Sequence, residues 1–358
     1  MLHALLLAGG SGTRFWPKSR KSLPKQFLSF AGASTLIEQT VDRLQGLVEP
    51  ERIWVVTSRE HRKQTCSLLP GVPAAQVLGE PEARDTAVAI ALGNRCIRAA
   101  DPQATLLVLP ADHVISPRKR WQESARVALE ALKSSPRAIV VFGVRALGPA
   151  TGYGYIERGA SLELHGAFPV HEVARFHEKP DPATAEDYVR RGFLWNSGMF
   201  CFHAEALAGH VARLEPKLGR VLDGVDLSKE REEVEESLER AYQALPSVNF
   251  DRAIVTPCTE RLVVVVDYEW DDVGTFSALA RHLPADGQGN QFSGAVVSLA
   301  SSNNLVDAGE GCVALCGVEG LIVVHTEDAT LVCRREDAER VKDLLDKVKS
   351  LKKGERFI

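Results

Sequence analysis

A strand-length apolar run that breaks into three glycines within four residues, and then into cations, constrains this chain more than any other feature. Leu5-Leu6-Leu7-Ala8 leads into Gly9-Gly10-Ser11-Gly12-Thr13-Arg14, and Phe15-Trp16-Pro17-Lys18-Ser19-Arg20 runs on to Pro24-Lys25-Gln26-Phe27. Glycines at the end of a parallel strand let the backbone come close to a ligand and aim its N–H groups at an anion. Arg14 and Lys25 add the side-chain charge that a nucleoside triphosphate needs. The two commoner phosphate loops do not fit. A Walker A loop ends in Gly-Lys, a pair absent from this chain, and the dinucleotide fingerprint wants glycine where Phe15 stands.

Apolar runs of strand length alternate with helical patterns after that stretch. Strands are predicted at His3–Ala8, Ile53–Thr57, Gln76–Gly79, Thr105–Leu109 and Ala138–Val144, and helices at Ala87–Ala100 and Trp121–Lys133. Thr35 with Glu38 forms a capping box that opens a helix through Val48. Near-continuous apolar strands in βα alternation predict a Rossmann-like α/β fold with a mostly parallel sheet covered on both faces. Ligands of such sheets bind at the carboxyl ends of the strands. Residues 151–270 are richer in short strands, with a helical, charge-rich stretch over 203–245 and a strong strand at Arg261–Val266. Pro284–Asn290 is linker-like. Short runs follow at Gly294–Leu299, Asn304–Val306, Cys312–Cys316, Leu321–His325 and Thr330–Cys333, predicting a small antiparallel β-domain or a few coils of a β-helix. Asp337–Lys352 closes the chain as an amphipathic helix. The expected organisation is a domain over 1–283, in halves of about 1–150 and 151–283, and a C-terminal domain over 284–358.

Bulk properties exclude several classes. A length of 358 residues suits one large domain and a smaller one. A net charge of -4 gives no footprint for nucleic acid or an anionic membrane. No apolar stretch approaches the ~20 residues that span a bilayer. The N-terminal run has no basic flank and ends at Gly9-Gly10, so it is expected to be a strand rather than a signal peptide. Seven scattered cysteines without a Cys-x-x-Cys are expected to be reduced thiols of a cytoplasmic protein. The oligomeric state is not encoded in any pattern, although an exposed β-face or the C-terminal helix would suit a homodimer.

Other polar residues stand where folding alone does not ask for them. Asp112, in Pro110-Ala111-Asp112-His113, follows a fully apolar strand, where a carboxylate must be paired or bind a metal. Ser116-Pro117 is a better start for the next helix than Asp112. In Gly79-Glu80-Pro81-Glu82-Ala83-Arg84-Asp85-Thr86, Asp85 or Thr86 can cap a helix. Asn196, in Trp195-Asn196-Ser197-Gly198, is a polar group inside an apolar run and needs partners, which sugar hydroxyls would supply. Glu178-Lys179, taken alone, reads as an exposed ion pair at a strand end.

The glycine-rich stretch resembles the signature of the sugar-1-phosphate nucleotidylyltransferases, and its longer form is similar to the mannose-1-phosphate guanylyltransferase branch of that family. The resemblance implies transfer of GMP from GTP to α-D-mannose 1-phosphate, giving GDP-mannose and pyrophosphate. It also implies a C-terminal left-handed β-helix. By the same resemblance Leu7, Ala8, Gly9, Gly10, Ser11, Gly12, Thr13, Arg14, Lys25, Glu80, Arg84, Asp85 and Asp112 form the nucleotide site. Gly152, Tyr153, Glu178, Lys179, Asn196, Gly198 and Asp251 form the sugar-phosphate site. Asp112 and Asp272 hold Mg²⁺, and Arg14, Lys25, Asp112 and Asp272 carry the catalysis. Three positions depart from the family pattern: Asp85 stands where Asn is usual, Thr256 where Glu is usual, and Asp271 where Ser is commoner. An extra carboxylate at 271 could raise the local negative charge or compete as the metal ligand. The alternatives are the same reaction on another nucleotide or hexose 1-phosphate, or a catalytically silent regulatory subunit. A bifunctional enzyme that also isomerises the hexose phosphate would need a further metal-binding domain and a His cluster, and neither is expected here.

Overall fold

A computed structural model describes residues 1–10, 12–29, 34–164 and 166–358. It forms two compact units, each assembled from separate stretches of chain. Residues 1–9, 40–111 and 115–270 make the first, and residues 10–39, 112–114 and 271–358 the second.

Among the described residues eleven strands precede residue 272. They are β1 (Leu2–Ala8), β2 (Ile53–Ser58), β3 (Val77–Glu80), β4 (Thr105–Pro110), β5 (Val114–Ser116), β6 (Ile139–Arg145), β7 (Tyr155–Leu162), β8 (Val170–His177), β9 (Leu194–His203), β10 (Arg261–Val266) and β11 (Glu269–Asp271). Apart from the short β5 and β11, they build one nine-stranded sheet in the order β3-β2-β1-β4-β9-β6-β10-β8-β7. β3, β2, β1 and β4 are parallel neighbours, in register from Ala4 opposite Ile53 and from Leu2 opposite Thr105. β9 inserts antiparallel between β4 and β6, and β8 runs antiparallel to β10 and β7. Only β8 and β9 therefore oppose the common direction. The apolar runs explain the layering. Leu5, Val56, Val108, Val141 and Phe200 meet Val88, Ile90 and Leu92 of the helix Thr86–Ala100 in one core, with burial that leaves little for water to reach.

The second unit carries a four-stranded sheet in the order β12 (Gln291–Leu299), β13 (Leu305–Cys316), β14 (Leu321–His325), β15 (Thr330–Arg334). β12, β13 and β14 are parallel, and β15 returns antiparallel. Gln291 stands opposite Leu305 and Leu305 opposite Ile322, so successive coils of chain stack in parallel, as a β-helix requires. A buried amide ladder joins the coils. Asn304 Nδ2 donates to Asn290 Oδ1 at 3.1 Å, and Leu321 N donates to Asn304 Oδ1 at 2.9 Å. The two runs expected at Asn304–Val306 and Cys312–Cys316 are one strand. Its turn-forming glycines sit at an irregularity, with the register shift opposite at Ser293/Ala295, rather than at a break. The closing helix is shorter than its pattern, Val341–Lys349, because Arg335–Arg340 tightens into a 3₁₀ turn. Phe15, Trp16, Leu28 and Leu36 share the core of this unit with Phe276, Leu305, Ile322 and Leu345. The segment that follows the glycines thus completes the C-terminal β structure.

Candidate functional site

In the second unit the glycine loop is built against Lys25. Gly12 is left-handed, with φ of 58°, and a Cβ there would stand 2.4 Å from Lys25 Cβ and 3.0 Å from its backbone N. A 3₁₀ turn at Thr13–Phe15 follows, and Ser19 Oγ donates to Gly12 O at 2.7 Å. Lys25 is buried, and its Nζ donates to Asp112 Oδ2 at 2.7 Å and to the carbonyl oxygen of Asp272. Lys25, Asp112 and Asp272, far apart in sequence, are brought to one point. Burial pushes the Asp112 carboxyl up, but Lys25 and His113 outweigh it and hold the carboxyl below its usual range. Arg14 pairs with Glu339 at 2.8 Å with both side chains largely in water, and Thr13 is exposed. Ser11 lies outside the described residues.

Asp271 is not a competitor for a metal. It is buried and accepts from Val273 N at 2.8 Å, from Arg281 Nη2 at 2.6 Å and Nε at 3.1 Å, and lies 3.0 Å from His282 Nε2. Burial raises its pKa, yet His282 and Arg281 hold it below the usual carboxylate range. Asp112, paired with Lys25, and Asp272, whose backbone carbonyl accepts from Lys25, are the two carboxylates expected from the sequence to hold a metal. Among the described residues no group of three or more His, Cys, Asp and Glu side chains is placed to hold a metal. A hard cation held by two carboxylates would draw its other ligands from phosphate oxygens and water, as Mg²⁺ does, so the donor set fits that ion.

The first unit holds the other predicted residues. Leu7 and Ala8 end β1 and Gly9 follows it; Ala111 N donates to Leu7 O at 3.0 Å. Asp85 is the N-cap of the helix Thr86–Ala100 and accepts from Thr86 N at 2.6 Å. Arg84 pairs with Glu82. Glu80 is buried and accepts from Tyr242 Oη at 3.0 Å. On the sugar side, Asn196 opposes Gly143 at an irregularity in the β6–β9 ladder, after which Gly198 turns with φ of 69°. Gly198 N donates to Asn196 Oδ1 at 3.2 Å, and Asn196 Nδ2 donates to Asp251 Oδ1 at 3.0 Å. Asn196 and Asp251 are thus one assembly. Asp251 opens a five-residue π-helical turn, Asp251–Val255, a form common at functional sites. Glu178 and Lys179 are a loose pair, 3.8 Å apart. Gly152 is exposed, and Tyr153 meets Trp195 and Trp270 edge-on at 5.1 and 5.2 Å.

Backbone strain sorts these motifs from ordinary turns. Asp85 (φ 64°), Lys179 (φ 22°) and Val273 (φ 45°) have positive φ, half of the six such non-glycine residues among those described. Asp85 and Lys179 lie inside motifs singled out from the sequence and Val273 directly follows Asp272, and a β-branched residue at positive φ is a true outlier. Such strain gathers where function over-determines the backbone. Trp195 and Trp270 lie in or beside motifs marked by the sequence but carry no role there, and the Arg281–His282 pair escapes the sequence reading altogether. An indole beside a polar motif and a partner ten residues on leave no periodic trace.

Two carboxyls give the first unit a pH signature. Burial, with Glu178 and Asp85 nearby, pushes Asp251 up to about 7 from 3.8, and burial pushes Glu80 up to about 7 from 4.5 despite Tyr242. Between those values the native state binds more protons than the unfolded chain, so each group takes away stability as pH rises from about 4 to about 7. Asp251→Asn and Glu80→Gln should therefore gain stability relative to wild type between pH 5 and pH 8, measured by urea midpoints. A difference from wild type that stays constant over that range would refute the burial argument.

Residues 3–289 match the family described as nucleotidyl transferase, and residues 294–348 match the mannose phosphate isomerase/GMP-like β-helix domain. A mannose-1-phosphate guanylyltransferase of Escherichia coli is 34% identical over 359 residues, covering 99% of this chain and 75% of that protein. The xanthan biosynthesis protein XanB of Xanthomonas campestris pv. campestris is 36% identical over 355 residues, covering 98% of this chain and 74% of that one. A solved structure from Thermus thermophilus, described as a mannose-1-phosphate geranyltransferase, superposes with a TM-score of 0.86 at 34% identity, covering 98% of this chain and 99% of its own.

Proposed function

We propose, from the premise that this chain belongs to the nucleotidyl transferase family and carries a mannose phosphate isomerase/GMP-like β-helix domain, that it transfers GMP from GTP to α-D-mannose 1-phosphate and releases pyrophosphate. The observation that carries the reading is the meeting of Gly12, Lys25, Asp112 and Asp272. A phosphate oxygen of the sugar attacks the α-phosphorus, and the bond to the bridging oxygen of pyrophosphate breaks in line. The attacker is already ionised, so no general base is required. Catalysis is positioning and neutralisation of charge.

The backbone N–H groups of the loop hold the triphosphate, and Arg14 and Lys25 balance the charge that grows on the departing pyrophosphate. Lys25 is pre-positioned for this by Asp112. Asp112 and Asp272 would hold Mg²⁺, which when bound supplies Lewis-acid neutralisation of phosphate charge. In the first unit Lys179 takes the sugar phosphate, and Glu178, Asp251 and Asn196 take hexose hydroxyls. The E. coli relative's name supports the guanylyl and mannosyl specificity.

Pyrophosphate release with GTP, ATP, UTP and dTTP, each with mannose 1-phosphate and glucose 1-phosphate, tests the reading. GTP with mannose 1-phosphate should lead every other pair by at least about tenfold, or ~1.4 kcal/mol of transition-state discrimination. A uridylyl or thymidylyl pair in the lead would overturn the specificity, and no release from any pair would favour the regulatory subunit.

A further inference from the structure

The loop that would receive the triphosphate carries three glycines within four residues. Gly9 and Gly10 have open space where a Cβ would be, and Gly10 and Gly12 both sit at positive φ. Glycines lose the most conformational freedom on ordering, and a site that must order its loop when ligand arrives loses affinity by that amount. Something outside the loop has to hold it in place beforehand.

The residues just after it are held by the C-terminal β structure. Lys18 pairs with Asp307 on β13, with 25% and 18% of the two side chains exposed. Asp307 Oδ1 also accepts from Gly309 N at 3.2 Å, which fixes the carboxylate. Arg20 Nη2 donates to Asp328 Oδ1 at 2.7 Å and to Thr326 Oγ1 at 3.3 Å, both in the β14–β15 turn. The Arg20 guanidinium also donates to Pro17 O and lies 5.8 Å from the Trp16 ring. Trp16 Nε1 donates to Phe357 O at 2.6 Å. Carboxylates of the C-terminal part thus neutralise both Lys18 and Arg20. The Arg14–Glu339 pair differs, being 40% and 69% exposed, and is readily exchanged for another anion.

We propose that Asp307 and Asp328 are positioning residues for nucleotidyl transfer: by anchoring Lys18 and Arg20 they set the glycine loop in the conformation that receives GTP. This rests on the transferase reading above. The C-terminal β domain, by this account, is part of the nucleotide site's scaffold rather than an appendage to it.

The test uses the full chain with Asp307→Asn, Asp328→Asn and the charge swap Lys18→Asp/Asp307→Lys. Asn at 307 can keep the bond from Gly309 while losing the charge that holds Lys18. KM for GTP should rise at least about fivefold in each Asn variant, within the range of coupling seen for contacting pairs. KM for mannose 1-phosphate should stay within about twofold, and the charge swap should recover most of the GTP affinity. A merely structural brace would instead lower Tm and raise both KM values together, and that result overturns the proposal. So does an unchanged KM for GTP in both Asn variants. Should Asp307→Asn fail to fold, Asp328→Asn, at a more exposed turn, decides by the same two KM values. A wild-type chain without transferase activity would sink the transferase reading itself; the loop's amide hydrogen exchange would then decide the positioning claim, faster exchange over residues 12–20 in the Asn variants supporting it and unchanged exchange overturning it.

Discussion

Gly12→Ala is expected to lower kcat/KM for GTP at least about a hundredfold, equivalent to ~2.7 kcal/mol of transition-state stabilisation. The new Cβ would stand 2.4 Å from Lys25 Cβ, well inside van der Waals contact, and the backbone N of Lys25 is only 3.0 Å away. Alanine at a φ of 58° adds roughly 1–2 kcal/mol of its own. Relief by sliding the loop is opposed from both sides. Phe15 N donates to Gly12 O at 2.9 Å, and Ser19 Oγ donates to the same oxygen at 2.7 Å. The alternative is to push Lys25 away from Asp112 and the Asp272 carbonyl, which removes the ammonium from the point where phosphate charge must be met. Either escape harms the reaction more than the fold. Gly71→Ala, where nothing lies within 4 Å and φ is not positive, is the matched control and should fall within about threefold of wild type. Steady-state pyrophosphate release checks both, and a Gly12→Ala enzyme with more than a third of wild-type kcat/KM would show that loop and lysine are not packed as described.

What could be read in the sequence was local or strictly periodic. The run Arg261–Val266 is a strand with those bounds, and the Thr35–Glu38 capping box closes as its spacing requires, with Thr35 N donating to Glu38 Oε2 at 2.8 Å. The fully apolar Thr105–Leu109 run had to be an interior strand, and it lies between β1 and β9. Asp112 stands out because an apolar strand ends in a charge, and its partner Lys25 stands out separately, as a cation shortly after the glycine loop. Pairings across long separations left no trace. Glu80 finds Tyr242, Lys18 finds Asp307, and Asn290 finds Asn304 only because chain topology brings them together. Side-chain direction was equally hidden. Asn196 looked like a sugar ligand with a buried amide to satisfy; the ladder irregularity and Gly198 show that part of its hydrogen bonding is spent on orienting Asp251. Asp271 looked like a spare metal ligand until its donors were seen, since a carboxylate's availability depends on what already surrounds it.

The Lys25–Asp112 pair should respond asymmetrically to removal of its two ends. Lys25 keeps 8% of its side-chain exposure and Asp112 keeps 30%. Asp112→Ala therefore strands a buried ammonium, with the Asp272 carbonyl still near it, whereas Lys25→Met strands a carboxylate that water can reach. Breaking a fully buried pair costs about 3–5 kcal/mol, and the first variant should approach the lower end of that range while remaining folded. The second should cost clearly less. Because Asp112 is held below its usual range, the pair's contribution is complete above about pH 4 and is lost as pH falls through the lowered value, a loss that Lys25→Met should abolish. Activity should follow a different rule. On the proposed transfer reaction each single variant removes a charge that would meet the phosphates or their metal, so turnover should drop at least about a thousandfold in both. The double variant Lys25→Met/Asp112→Asn separates the two effects. It removes the stranded charge and should recover most of the stability lost in Asp112→Ala, yet it restores neither the ammonium nor the oxygen donor and should stay as inactive as the single variants. Recovery of turnover along with stability, measured by urea unfolding and pyrophosphate release on the same preparations, would mean that the pair serves only to hold the unit together and that the transfer chemistry lies elsewhere.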